Sequence, residues 1–179
     1  MIKRHREEKD FFFKGHPQSP LTHEQKHSFT KMDYFPVNKN FRFEVELNEF
    51  KDKRHIEMQT STGVIQDYID YGTVSFDVKG TNVGEDATKG TNVILHIYIN
   101  SRNPNYYFVP FWDLTVQTKE TYGAGRYIEL EPTGEKFILD FNKAYNPYCA
   151  YNEHWTCPLV PPDNRLNVRI EAGEKTFHF

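Results

Sequence analysis

Three soft metal-ligand atoms lie close together near the C-terminal end of this chain. Cys149, His154 and Cys157 are spaced by five and three residues within LDFNKAYNPYCAYNEHWTCPLVPPDNRL, Leu139 to Leu166. With a fourth group such as His178 or Asp140 they would form an open zinc site of thiolate and imidazole donors. The tight C-x-x-C pairing of structural zinc sites is absent, and Cys also serves as a small buried apolar residue, so packing is the simpler reading. A thiol nucleophile needs a base partner, and the sequence defines none for either cysteine. In the absence of a secretion signal both thiols are expected to stay reduced. A bridge between them would close a short loop and contribute about 2.5 kcal/mol.

His23-Glu24-Gln25-Lys26-His27 is a literal H-E-x-x-H string. On a helix it would place two imidazoles on one face with a carboxylate available as a base. The segment is short, polar and follows Pro20, whereas a zinc-protease helix lies in apolar sequence and has a third ligand. A solvated, capped helix accounts for every residue in it.

The segment Thr121-Tyr122-Gly123-Ala124-Gly125-Arg126 has two glycines that permit a tight turn or a close backbone approach, without a P-loop or dinucleotide fingerprint. Arg126 is in phase with Ile128 and Leu130, so an inward-facing strand would bury its guanidinium. A buried Arg requires a partner, and Asp113, Asp140 or a bound anion are the candidates. In an enzyme, Asp140 would act as general acid or base and Arg126 would stabilise an anionic intermediate.

The Leu139 to Leu166 stretch also holds four of the ten prolines and a dense series of aromatic and Asn side chains. Phe141, Tyr145, Tyr148, Tyr151 and Trp155 recur at helix-like intervals, but Pro147 disfavours helical geometry at Asn146 and lacks the amide a helix would need. An ordered loop laying rings over the end of a β-structure fits better, either as the rim of a pocket or as a lid that seals the core.

These residues need a scaffold, and the composition indicates which kind. The chain of 179 residues is long enough for one sizeable core, and its 15 Phe and 11 Tyr favour β structure. A net charge of −3 gives no electrostatic footprint for nucleic acid or an anionic membrane. The apolar run Phe11 to Phe13 is too short for a signal-peptide core or a membrane span, so the protein is read as soluble and cytoplasmic.

Residues 1–33 form a charged, His-rich lead-in in which two short helices fit. One covers Lys3 to Phe13, and the other starts at Thr22, which has capping-box spacing to Gln25. From Phe41 the period becomes two, with Phe41, Phe43, Val45 and Leu47 on one face. Further strands are expected at Arg54 to Thr60, Val64 to Tyr71, Thr73 to Lys79, Asn92 to Ile99, Phe108 to Val116, Arg126 to Leu130, Lys136 to Phe141, Leu166 to Ala172 and Lys175 to Phe179. Turn signals separate them, including Tyr71-Gly72, a polar loop from Gly80 to Gly90, and Ala172-Gly173-Glu174. Many short strands with short links imply an all-β domain over 34–179, an antiparallel meander closing into a barrel or sandwich.

TYGAGRYIEL at Thr121 to Leu130 and LDFNKAYNPYCAYNEHWTCPLVPPDNRLNVRIEAGE at Leu139 to Glu174 resemble the family catalogued as domain of unknown function 1684. DYFPVNKNFRFEVEL at Asp33 to Leu47 and FWDLTVQTKETYG at Phe111 to Gly123 are similar to it as well. The resemblance covers Gly125, Arg126, Tyr127, Asp140, Phe141, Asn142, Tyr145, Asn146, Pro147, Cys149, Thr156, Cys157, Pro158 and Asn164. His154 and the HEQKH string fall outside it. It implies no established activity, substrate or cofactor.

The expected site therefore lies at one end of the β-structure and takes a small polar or anionic ligand. Its polar groups are Arg126, Asp140, Asn142, Asn146 and Asn164, and its walls are Tyr122, Tyr145, Tyr148 and Trp155. A structural or partner-binding domain without a pocket is the remaining alternative.

Overall fold

The computed structural model describes residues 1–79 and 90–178. Two helices open the chain, α1 (Ile2–Gly15) and α2 (His23–Ser28). Lys3–Glu7 and Arg4–Glu8 pairs brace the solvent side of α1, and Phe13 is buried on its other side. Thr22 and Gln25 cap α2 reciprocally, as their spacing predicts: the Gln25 N–H donates to Thr22 Oγ1 at 3.2 Å and the Thr22 N–H to Gln25 Oε1 at 2.7 Å.

Among the described residues seven strands follow: β1 (Arg42–Val45), β2 (Asn48–Gln59), β3 (Ile65–Val78), β4 (Thr91–Asn100), β5 (Asn103–Phe111), β6 (Arg126–Thr133) and β7 (Lys136–Asp140). Their order, β1-β7-β6-β5-β4-β3-β2, is an antiparallel meander with β1 added beside β7. The meander curls into a half-barrel whose two edges are β1 and β2. Its inner face holds the main core, which includes Val74, Leu95, Ile97, Val109, Phe111, Ile128, Leu139 and Phe141.

The two expected strands around Gly72 are one long strand. A Cβ at Gly72 would lie 2.4 Å from the Asn48 carbonyl oxygen, so only glycine lets β2 and β3 come this close. The β3–β4 register shifts between Asp70 and Gly72. Asp70 pairs with Tyr98 while Gly72 pairs with Ile97, so the even-numbered residues of β3 change face at this bulge. Tyr68 consequently lies on the outer face and Val74 in the main core.

Three strand expectations are corrected. The Phe108 to Val116 strand ends at Phe111, because Asp113 accepts from the Thr115 N–H and starts a 3-10 turn over Leu114–Val116. Leu166 to Ala172 has the expected alternation, with Leu166, Val168, Ile170 and Ala172 in the main core, but it forms no ladder. Backbone and side chains share its hydrogen bonds: the Leu166 N–H donates to the Trp112 carbonyl and the Leu114 N–H to the Val168 carbonyl, Asp113 accepts the Ile170 N–H at 2.8 Å, and Arg126 donates to the carbonyls of Ile170 and Ala172. Lys175 to His178 is tied to loops instead, through bonds from Lys175 N to Asp33 O and Thr176 N to Glu120 O, and Phe179 is outside the described residues. The loop expected from Gly80 to Gly90 also lies outside them, except for Gly90 itself.

Candidate functional site

Strand β6 sets the chemistry of both sheet faces. Arg126, Ile128 and Leu130 point inward, and the residues between them, Tyr127 and Glu129, point outward. On β5, Phe108 stands opposite Glu129 and Pro110 opposite Tyr127. Tyr68 from β3 and Tyr106 and Phe108 from β5 therefore join Tyr127 on the outer face, in a second apolar cluster with Met58 and Tyr98.

This outer face forms the floor of a cavity of about 600 Å³. The long loop supplies one wall through Tyr145, Tyr148, Trp155 and Cys157, and α1 supplies another through His5, Lys9, Phe12 and Phe13. Phe108 meets Tyr127 edge to face with centroids 4.8 Å apart, and Tyr148 meets Trp155 in the same way at 5.0 Å. The volume lies within the range of ordinary small-molecule pockets.

Hydrogen bonds fix the polar groups around these rings. Glu129 accepts from the hydroxyls of Tyr106 at 3.0 Å and Tyr145 at 3.2 Å, and the two hydroxyls lie 2.9 Å apart. Burial raises the pKa of both phenols, and the Glu129 charge adds to the effect, so both remain protonated donors. The Tyr127 hydroxyl donates to the Pro158 carbonyl. Lys9 is ion-paired with buried Glu174 and lies over the rings of Phe13 and Tyr145. His5 is pushed below its usual pKa by desolvation first, then by Lys143 and Lys9.

The polar residues singled out in the sequence have other partners. Arg126 is fully buried; it pairs with Asp113 at 3.1 Å and donates to the carbonyls of Ile170, Ala172 and Glu174. Burial lowers its pKa, and the adjacent Asp113 charge opposes that shift. Asp140 accepts from the backbone N–H and side-chain amide of Asn142 and sits 3.8 Å from Arg42, whose side chain is half exposed. Asn142 clasps the Asn38 backbone through both its N–H and its C=O. Asn164 accepts the His96 N–H and donates to the carbonyls of His96 and Pro110, stitching β4 to the end of β5. Asn146 donates to the Lys175 carbonyl, and its own N–H goes to Glu174. None of Arg126, Asp140, Asn142, Asn146 and Asn164 lines the cavity.

Of the expected walls, the structure brings Tyr145, Tyr148 and Trp155 to the cavity, whereas Tyr122 turns its hydroxyl to the Cys149 sulfur at 3.8 Å. The metal alternatives do not assemble. Among the described residues no three His, Cys, Asp or Glu side chains converge as ligands. His154 is exposed, and His23 and His27 face each other on an exposed helix with Nε2 atoms 3.3 Å apart.

Sequence reasoning missed Tyr68, Tyr106, Phe108, Tyr127 and Glu129 as site residues. One signal was present: Tyr106-Tyr107-Phe108-Val109 is apolar on both alternating faces, the mark of a strand covered on both sides.

Residues 27–175 match the family described as Protein of unknown function (DUF1684). The chain belongs to the DUF1684 family. This DUF1684 chain is also similar to a solved structure, the solution NMR structure of the uncharacterized protein from gene locus rrnAC0354 of Haloarcula marismortui. The two are 34% identical with a TM-score of 0.69, over 98% of this chain and 92% of that one. No curated protein matches the sequence. The matched family range contains the sheet and the long loop but not α1, so the helical wall of the cavity comes from outside it. No helix among the described residues is long and apolar enough to cross a membrane.

Proposed function

We propose that this DUF1684 protein binds a flat, largely apolar organic molecule, neutral or cationic, between the outer face of the sheet, α1 and the long loop. The observation that carries the reading is the cavity of about 600 Å³ walled by Tyr68, Phe108, Tyr127, Tyr148 and Trp155. Rings in edge-to-face arrays offer stacking surface to a planar ligand, and their π-faces attract a cation. The charges support the same class. Lys9 is paired with Glu174, His5 is biased toward its neutral form, and the carboxylate of Glu129 lies at the cavity. The polar or anionic ligand anticipated from Arg126 and the Asn residues has little support from these surroundings, because those groups hold the chain together. An acid–base role for Asp140 has none, since its carboxylate faces Asn142 and Arg42.

The test uses the neutral, polarity-sensitive dye Nile red as a fluorescent reporter, with tryptamine and indolepropionate as competitors that share one ring system and differ in charge. The dye should brighten on the protein, Trp155→Ala and Tyr68→Ala should weaken it, and tryptamine should displace it at about tenfold lower concentration than indolepropionate. Dye binding that is unchanged in both variants would mean the cavity is not the site.

A further inference from the structure

The long loop turns back so that Cys149 and Cys157, eight positions apart, meet. The Cys149 N–H donates to the Cys157 sulfur at 3.3 Å. Both are free thiols. The Tyr122 hydroxyl points at the Cys149 sulfur, and Ser61 anchors Cys157 from the other side, accepting its N–H at 3.1 Å and donating to its carbonyl at 2.8 Å. Cys149 is partly exposed, whereas Cys157 is buried against the cavity wall. Cys149 is thus the more exposed of the two, and Cys157 sits beside it on an anchored backbone.

We infer that Cys149 and Cys157 form an oxidisable dithiol that exchanges with low-molecular-weight disulfides, Cys149 attacking and Cys157 resolving. The Cys149 thiolate attacks one sulfur of the small disulfide, breaks its S–S bond and expels one thiolate, leaving a mixed disulfide. The Cys157 thiol then loses its proton to solvent and attacks the Cys149 sulfur, expelling the second small thiolate. Both thiolates take up protons, so the protein dithiol is oxidised by two electrons and the small disulfide is reduced to two thiols. The Cys157 thiol beside it, opposed by burial and aided by Tyr122, holds the Cys149 pKa down at about 6, which supplies the thiolate at neutral pH. The Cys149 thiol, together with burial, raises Cys157, which suits a resolving thiol that is deprotonated only during the second step. None of this depends on the cavity being occupied.

The experiment treats the reduced full chain with glutathione disulfide at neutral pH and follows intact mass after acid quenching. Wild type should lose two hydrogens and retain no glutathione. Cys157→Ser should hold one glutathione on Cys149, released at least tenfold more slowly than from wild type, and Cys149→Ser should remain unmodified while its circular dichroism is native. Stable glutathione on wild type, or no reaction of wild type, would overturn the inference. Natively folded Cys157→Ser that takes up no glutathione would overturn it equally. If a variant does not fold, the wild-type result decides alone, since loss of two hydrogens without retained adduct requires both sulfurs to react with each other.

Discussion

Arg126 and Tyr127 are adjacent in sequence and face opposite sides of one sheet. On the inner side Arg126 joins Asp113 and three carbonyls of the returning chain, and every interaction is internal. On the outer side Tyr127 joins a set of rings around open space. The difference shows how a buried charge and an aromatic surface behave. An ion taken out of water needs a counter-charge and hydrogen-bond partners inside the protein, so a residue as conspicuous as Arg126 is bound into structure. Aromatic rings pack at angles and lose little when a space beside them stays open, so the residues that resemble core are the ones that border the cavity.

The largest effect should come from the inner side. Arg126→Ala leaves Asp113 buried without its counter-charge and takes the guanidinium donor from the Ala172 and Glu174 carbonyls, so it should cost about 3–5 kcal/mol in chemical denaturation. A loss below about 1 kcal/mol would mean that the inner and outer faces do not differ as argued.

Asn164→Ala should come next, at about 2–3 kcal/mol, because the His96 N–H and the His96 and Pro110 carbonyls lose their partner inside the fold. Nile red binding should be unchanged in that variant, at a temperature where it is folded. Weakened dye binding in folded Asn164→Ala would return this residue to the site.

The outer side should respond weakly in stability. Tyr106→Phe removes one donor from Glu129 and should cost about 1 kcal/mol or less, measured by the same denaturation. Trp155→Ala, at a partly exposed position, should cost less than about 1 kcal/mol while lowering dye affinity several-fold.

The dithiol gives a comparison of its own through pH. Because the Cys149 pKa is depressed, its thiolate persists down to about pH 6 and is lost only below that. Lowering the pH from about 7.5 to about 5 should slow the first reaction with glutathione disulfide roughly tenfold, against roughly 300-fold for a thiol of ordinary pKa. A fall near the larger figure would show that Cys157 and Tyr122 do not activate Cys149.

Much of the fold was legible because local rules decide it. The capping box at Thr22 and Gln25, the period of two in β4, β6 and β7, and the break at Pro147 each depend on a few neighbouring residues. The resemblance carried by TYGAGRYIEL and the long loop likewise anticipated the family. Leu166 to Ala172 was legible only in part. Its alternation correctly marked the buried residues, but alternation does not tell whether a full ladder or a mixture of loop backbone and side chains will take up the backbone hydrogen bonds.

The site was least legible, because a cavity is a property of elements distant in sequence. Sequence by itself determined that the chain would be β-rich, that Arg126 would share a face with Ile128, and that the aromatic loop would be ordered without forming an α-helix. Only the tertiary structure decided which faces met. The bulge beside Gly72 reversed the facing of β3 and brought Tyr68 next to Phe108, α1 arrived from the other end of the chain, and the loop folded Cys149 onto Cys157. The physical reason is that alternation fixes each side chain's face only relative to its own strand, while register and closure set what that face meets.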